Sequence, residues 1–360
     1  MNYKIGKREA IFLILIIMIN KMLLSMPKSI IQQCKTGAPI NIIFTGTLAV
    51  LIAILICKLF KKFPNEDIID ISEYVGKKPL KLIVSIIFEI LFTLIIITAL
   101  YEFTNLLQKI YFPNTPIVFI LLIFLGAIGF SNKVGFKSLI KTNTIIVILT
   151  LISLVIILAG TIKTLNFNRL YPILGTNIQT TFIEGSQNIF AFGGLLYLFL
   201  ITPFLKNKKD FKCISIVSII ISGIYLLFIV STLLSLFPFI HKVEGVMPMY
   251  ILTRNIEFGN FIQRTDAIFI FLWLLSLFSY LSISLMFIKN IFKKLINSEK
   301  SANYSYSFLA IIFSLIILFQ NQSLFTFLES VLYKYLLLGL IALCIIILII
   351  GNIKRKDIVS

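Results

Sequence analysis

The sequence predicts an all-α integral membrane protein of ten transmembrane helices, and three observations carry that prediction. Of its 360 residues 59% are hydrophobic and only 13% are charged, with a mean hydropathy of +1.02. A soluble protein of this length has too little interior to hide that much apolar surface. Several runs exceed the roughly 18 apolar residues that mark a spanning helix. Short alternating strands, the signature of an outer-membrane barrel, do not occur in the pattern.

Apolar runs between charged or turn-rich gaps place the spans at about 9–33, 39–59, 80–111, 115–131, 139–163, 181–204, 211–237, 266–292, 304–321 and 328–351. The first opens on "AIFLILIIM" and is interrupted by "INKMLLSMPKS", Ile19–Ser29. Lys4–Ile19 has the outline of a leader, but "LLSMPKS" offers no small-x-small cleavage site, so the span is expected to be retained. After the second span, Phe60–Pro79 reads as a charged loop too short to bury a core. The third span carries Glu89 and Glu102, the fourth opens at "FPNTPI" (Phe112–Ile117), and the fifth has lysines, Lys141 and Lys163, only at its ends. Beyond the long connection Thr164–Thr180, the sixth reads "TFIEGSQNIFAFGGLLYLFLITPFL", with Gly193 and Gly194 at its middle and Pro203 near its end. The seventh leads into Pro238–Thr265, which mixes charges with apolar residues as an interfacial amphipathic segment does. Asp266, Glu184 and Glu329 sit at span ends, and Lys334 lies near the outer end of the tenth, where a snorkelling role is expected.

Charge sets the orientation. With both termini placed in the cytoplasm, 23 Lys and Arg fall in inside segments and 8 in outside ones, Lys21 and Lys334 lying within spans. That asymmetry follows the positive-inside rule. It also accounts for the net charge of +18, so nucleic acid is not an expected partner. Cys34, Cys57, Cys213 and Cys344 show no metal or CxxC spacing, and the single histidine, His241, falls in a loop. The chain offers no catalytic constellation, no metal site and no cofactor motif; an enzyme is not expected.

Five spans precede Thr164–Thr180 and five follow, so a single transmembrane domain (1–360) divides into repeats of about 9–163 and 181–351 with opposite orientation. Interruptions fall at corresponding places: Asn20, Lys21, Met22 and Pro27 in the first span, Gly193 and Gly194 in the sixth. Matched breaks of this kind mark transporter-type sites, because half-helix ends and freed backbone groups recognise polar ligands. Gly and Pro also serve as packing and kink residues in membrane helices. Among the charges inside spans, Lys21 lies about 18 Å along its helix, near mid-bilayer. Glu89 and Glu102 are about 20 Å apart along theirs, too far to act as a pair; either could pair with Lys21, whose alternative is snorkelling.

Four stretches together resemble the endospore germination permease family, the B subunits of bacterial spore germinant receptors and relatives of the amino acid–polyamine–organocation transporters. "NKMLLSMP" (Asn20–Pro27) resembles the family's Gly-x-Gly-Leu-Leu-Thr-Leu-Pro. "RLYPILGTN" (Arg169–Asn177) is similar to its Pro-x-Leu-Gly approach to helix six. In "MPMYILTRNIEFGNFIQRTDAIFIFLW" (Met247–Trp273), Pro248, Arg264, Asp266 and Trp273 fall in pattern, and "FPNTPI" adds the Thr-Pro that opens helix four. The resemblance implies a LeuT-like fold of two inverted five-helix repeats with helices one and six broken. It implies a small-molecule germinant, often an amino acid, bound by Leu24 and Ser25 of helix one, Tyr101 of helix three, Phe192 and Gly193 of helix six, and Ser276 and Ser279 of helix eight, with Phe192 more often a packing residue. It further implies residence in the inner spore membrane beside membrane lipid, with a membrane A subunit and a lipoprotein C subunit as partners. The sequence departs from the pattern at Asn20 and Met22, where glycines are usual, at Gly194, where an acid is common, and in lacking a lysine at the middle of helix five. A ligand-sensing receptor subunit, a secondary amino-acid transporter and a non-binding receptor scaffold are the three readings this leaves.

Overall fold

The computed structural model describes residues 3–23, 26–175, 177–237, 248–254, 256, 265–296, 304–318, 321–331 and 335–357. Leu24, Ser25, His241, Arg264 and Lys334 therefore lie outside the described residues. The chain is a bundle of helices. α1 (Lys7–Leu23) is apolar all round, and every residue from Leu13 to Leu23 is buried. A helix without a polar face belongs inside a bundle, and α1 packs there against α6 (Phe136–Thr161), α8 (Phe211–Leu236) and α10 (Thr265–Ile296). α2 (Met26–Cys34) continues the first span, and α3 (Ala38–Phe60) returns along α8.

α4 (Ile68–Ile110) begins twelve residues before the expected span, so the stretch Phe60–Pro79 is helical from Ile68 onward rather than a loop. The cause is local. Asp67 accepts hydrogen bonds from the backbone N–H groups of Ile69 and Asp70, while Asp70 reaches back to the Asp67 N–H, a capping box. The helix then bends where Gly76 and Lys77 leave helical dihedrals just before Pro79. Gly76 is required at this bend, because a Cβ there would sit 2.5 Å from that of Leu80.

α5 (Ile117–Val134) and α6 present apolar faces outward, with Ile123 and Phe130 of α5 and Ile145 and Val155 of α6 more than three-fifths exposed. In a membrane protein such faces meet lipid. The sixth span is irregular: a π-helical turn over Gln179–Ile183, a 3₁₀ stretch over Glu184–Phe192, then α7 (Leu195–Ile201). After α8 come α9 (Pro248–Arg254), α10 and α11 (Tyr304–Leu318). The described residues of the expected span 328–351 fall in α12 (Gln322–Val331) and α13 (Leu337–Asp357), and Leu337–Arg355 is long and apolar enough to cross a membrane.

Among the described residues, eight helical segments are long and apolar enough to cross a membrane. α1, with 17 residues, and α11, with 15, fall just under that length. The chain is a multi-pass membrane protein. Its basic end is tied together across distant segments: Lys294 of α10 bonds Asp67 at 2.6 Å and also Asp70, and Arg355 of α13 pairs with Glu66 at 3.5 Å. At the opposite end, the Tyr111 hydroxyl donates to Asp266 Oδ2, joining α4 to the start of α10.

Candidate functional site

The first span is helical where its interruption was expected to begin. Asn20, Lys21 and Met22 are helical and form the last turn of α1, which ends at Leu23; α2 starts at Met26. Pro27 lies within α2. Lys21 is 5% exposed, so its ammonium is held within the bundle instead of snorkelling to a surface.

The sixth span shows how its irregular backbone is satisfied. π and 3₁₀ turns leave carbonyls that a regular helix would pair, and membrane interiors supply no water for them. Asn41 of α3 donates from Nδ2 to the carbonyls of Thr181 at 2.7 Å and Gly185 at 2.9 Å. Its Oδ1 accepts from Asn188 at 2.9 Å. All three side-chain contacts are buried, so Asn41 holds the first half of this span in its unusual geometry.

Gly193 and Gly194 form the turn between the 3₁₀ stretch and α7. At Gly194 a Cβ would lie 2.7 Å from Met18 Cγ, so the glycine is what lets α1 approach this turn. Here the acid common in the resembled pattern would collide with Met18. At Gly193 the corresponding space is filled by Leu337 Cδ1 of α13, at 3.2 Å, and the Phe190 carbonyl. Phe192 is fully buried with its ring against Gly46 of α3 and Gly223 of α8, a packing role.

α10 joins these parts through serines. Ser276 accepts from Asn20 Nδ2 at 2.7 Å, and Ser279 donates to Asn143 Oδ1 of α6 at 2.9 Å. Ser282 bonds Ser131 of α5 at 2.8 Å, and its carbonyl accepts from Asn132. Ser284 bonds the Tyr197 hydroxyl of α7 at 2.8 Å. Four serines thus engage four different helices. Among the described residues, Asn20 Oδ1 and Asn143 Nδ2 are buried with no hydrogen-bond partner. One is an acceptor and the other a donor, and the serines that hold their amides are one helical turn apart.

Tyr101 sits on α4 with its ring stacked on Phe325 of α12, centroids 3.6 Å apart and planes at 12°. Phe325 and Leu337 therefore cover Tyr101 and Gly193, the two expected site residues nearest the α12–α13 region. Glu89 is half-buried on α4, and its Oε1 has no hydrogen-bond partner among the described residues; Ser85, one turn earlier, is likewise unpartnered and fully buried. Glu102 is half-buried on the same helix.

Sequence reasoning named Ser276 and Ser279 but missed Asn41, Asn143, Phe325 and Leu337. Asparagine within an apolar span was the available signal for the first two, since an amide in hydrocarbon must find a partner. Nothing local marks the last two.

A family described as spore germination proteins matches residues 4–326. The spore germination protein YndE of Bacillus subtilis (strain 168) is 22% identical over 77% of this chain and 77% of its own length. GerLB of Bacillus cereus is 21% identical over 77% of this chain and 75% of its own. Among solved structures, a Na+-coupled sialic acid symporter superposes with a TM-score of 0.67 at 14% identity, over 95% of this chain and 79% of that one. That likeness makes the fold LeuT-like. The match along nine-tenths of the sequence means that this chain belongs to the family of spore germination proteins.

Proposed function

We propose that the chain is the transporter-like B subunit of a spore germinant receptor, binding a small amphoteric germinant, an amino acid, inside the membrane. The observation that carries this reading is the pair of unpartnered buried amide groups, Asn20 Oδ1 and Asn143 Nδ2, beside Ser276 and Ser279. An ammonium suits the free acceptor and a carboxylate suits the free donor. Burying polar groups unsatisfied is costly, and a ligand that bonds both regains that cost. Bound ligand favours one arrangement of the two inverted repeats, about 9–163 and 181–351, only to the extent that it binds that arrangement more tightly. Partner subunits, a membrane A subunit and a lipoprotein C subunit, would pass the change on from the inner spore membrane, with both termini cytoplasmic.

The test is germination of spores lacking this chain, and of spores carrying Asn143→Leu, against a panel of amino acids. The expected result is loss of response to the same subset of amino acids in both, with the purified variant folding normally. A normal response of Asn143→Leu to every amino acid would refute the site. The fold also suits a secondary transporter, and accumulation of an amino acid in vesicles under an imposed ion gradient would favour that reading. Normal germination without the chain on every amino acid would leave only a scaffold role.

A further inference from the structure

A cavity lies at the basic end of the bundle. It has a volume of about 540 Å³ and opens between the end of α3 and the start of α8. Five lysines line it: Lys58, Lys61, Lys208, Lys209 and Lys212. No Asp or Glu is among its lining residues. Of the acids around it, Glu66 pairs with Arg355 and Asp67 and Asp70 with Lys294, while Asp210 shares a turn with Lys208 and Lys209 and is outnumbered by the five lysines. Lys208 is additionally oriented by donating to the Thr202 carbonyl.

Beneath the lysines the wall is apolar. Phe60, Phe63, Leu205 and Phe211 are all under 7% exposed, and the Phe60 and Phe211 rings meet edge to face at 5.7 Å. Ile54, one turn before Lys58, also lines the cavity and is 37% exposed on the outer surface of α3. Leu51 and Leu55 on α3 and Ile220 and Ile224 on α8 extend that exposed apolar surface along the spans. The cavity therefore runs from a cluster of cations into a surface that faces hydrocarbon.

We propose that this cavity is a binding site for an anionic phospholipid, its phosphate held by the five lysines and an acyl chain following Ile54 along α3. A free phosphate offers the same charge but leaves the apolar wall uncovered, and a zwitterionic lipid offers the chain with a cation that the lysines repel. Lysines near a bilayer surface attract anionic lipid by about fivefold in affinity each. Confinement of five in one cavity distinguishes them from Lys133, Lys137 and Lys141, which the charge pattern puts on the same side but which do not line it.

The test uses the purified full-length protein and three probes: phosphatidylglycerol, phosphatidylcholine and inorganic phosphate. Lysine acetylation is read by mass spectrometry, and retained lipid by native mass spectrometry. Phosphatidylglycerol is expected to protect Lys58, Lys61, Lys208, Lys209 and Lys212 of the wild-type protein, while phosphatidylcholine and inorganic phosphate do not. The variant Lys61→Gln/Lys208→Gln/Lys212→Gln is expected to lose affinity for phosphatidylglycerol on the order of 100-fold, and Lys133→Gln/Lys137→Gln/Lys141→Gln to lose far less. Equal protection of the two lysine groups, or equal loss in the two variants, would reduce the effect to diffuse surface attraction and overturn the site. Protection by inorganic phosphate to the same extent would make it a soluble-anion site and overturn the lipid assignment. The protection measurement needs no variant, so it decides the matter even if the triple substitution unfolds the protein.

Discussion

The hydrogen bond between Asn20 and Ser276 carries a specific energetic signature. Both residues are 0% exposed, and Asn20 Nδ2 lies 2.7 Å from Ser276 Oγ while Asn20 Oδ1 has no partner. Ser276→Ala strands the amide at both ends. Hydrogen bonds between membrane helices are worth about 0.6 kcal/mol on average and up to about 1.7, and an orphaned buried group costs about 1–3 kcal/mol; a loss of about 1–2 kcal/mol is expected. Asn20→Leu removes the amide altogether and leaves a serine hydroxyl that can turn to the carbonyl four residues earlier, so its cost is about 0.5 kcal/mol or less. In the double variant the serine no longer matters, and the coupling energy is about 1 kcal/mol. The assay is reversible unfolding in mixed micelles, followed by the fluorescence of Trp273, the only tryptophan in the chain and buried one turn from Ser276. Additivity of the two substitutions within about 0.3 kcal/mol would refute the account, as would a neutral Ser276→Ala.

Three further outcomes follow from the same structure. Gly194→Ala should destabilise by about 1–3 kcal/mol through overlap with Met18, and by less in a Met18→Ala background, measured by the same unfolding assay. Removing the Phe325 ring uncovers position 101, so Tyr101→Cys should react at least about tenfold faster with a water-soluble thiol reagent in a Phe325→Ala background; unchanged labelling counts against Phe325 as a cover. Burial pushes the Asp67 carboxyl up from 3.8 to about 6, against the pull of Lys294. The folded state thus holds this proton more tightly than the unfolded chain, a contribution complete below about pH 4 and lost as pH rises through about 6. Asp67→Asn keeps a capping side chain and should flatten the pH dependence of the unfolding midpoint between those values; an unaltered slope would be inconsistent with burial of the carboxyl.

The amphipathic start of α4 shows where local reading fails and why. Asp67 and Asp70 form a capping box visible in the sequence, yet charges at Lys77, Lys78 and Lys81 make the same stretch look like a loop. The capping box fixes where the helix starts, and burial of Ile68, Ile69 and Ile71, which no local pattern reports, adds the packing that holds it. The sixth span is similar: its glycines mark the turn at Gly193–Gly194, but the π and 3₁₀ turns before it depend on Asn41, some 140 residues away.

What the sequence determined by itself was the membrane class, the positions of most spans, the glycine turn of the sixth span and the family. These follow from hydropathy, turn residues and motif order, all local properties of the chain. The tertiary structure alone decided which polar groups meet. Asn20 finds Ser276 across 256 positions, Ser279 finds Asn143 across 136, and Phe325 settles on Tyr101. For Asn20 the physical reason lies in α1. A helix that is apolar on every side has no period to fix its rotation, so its neighbours are chosen by packing and by the few buried amides that must find partners.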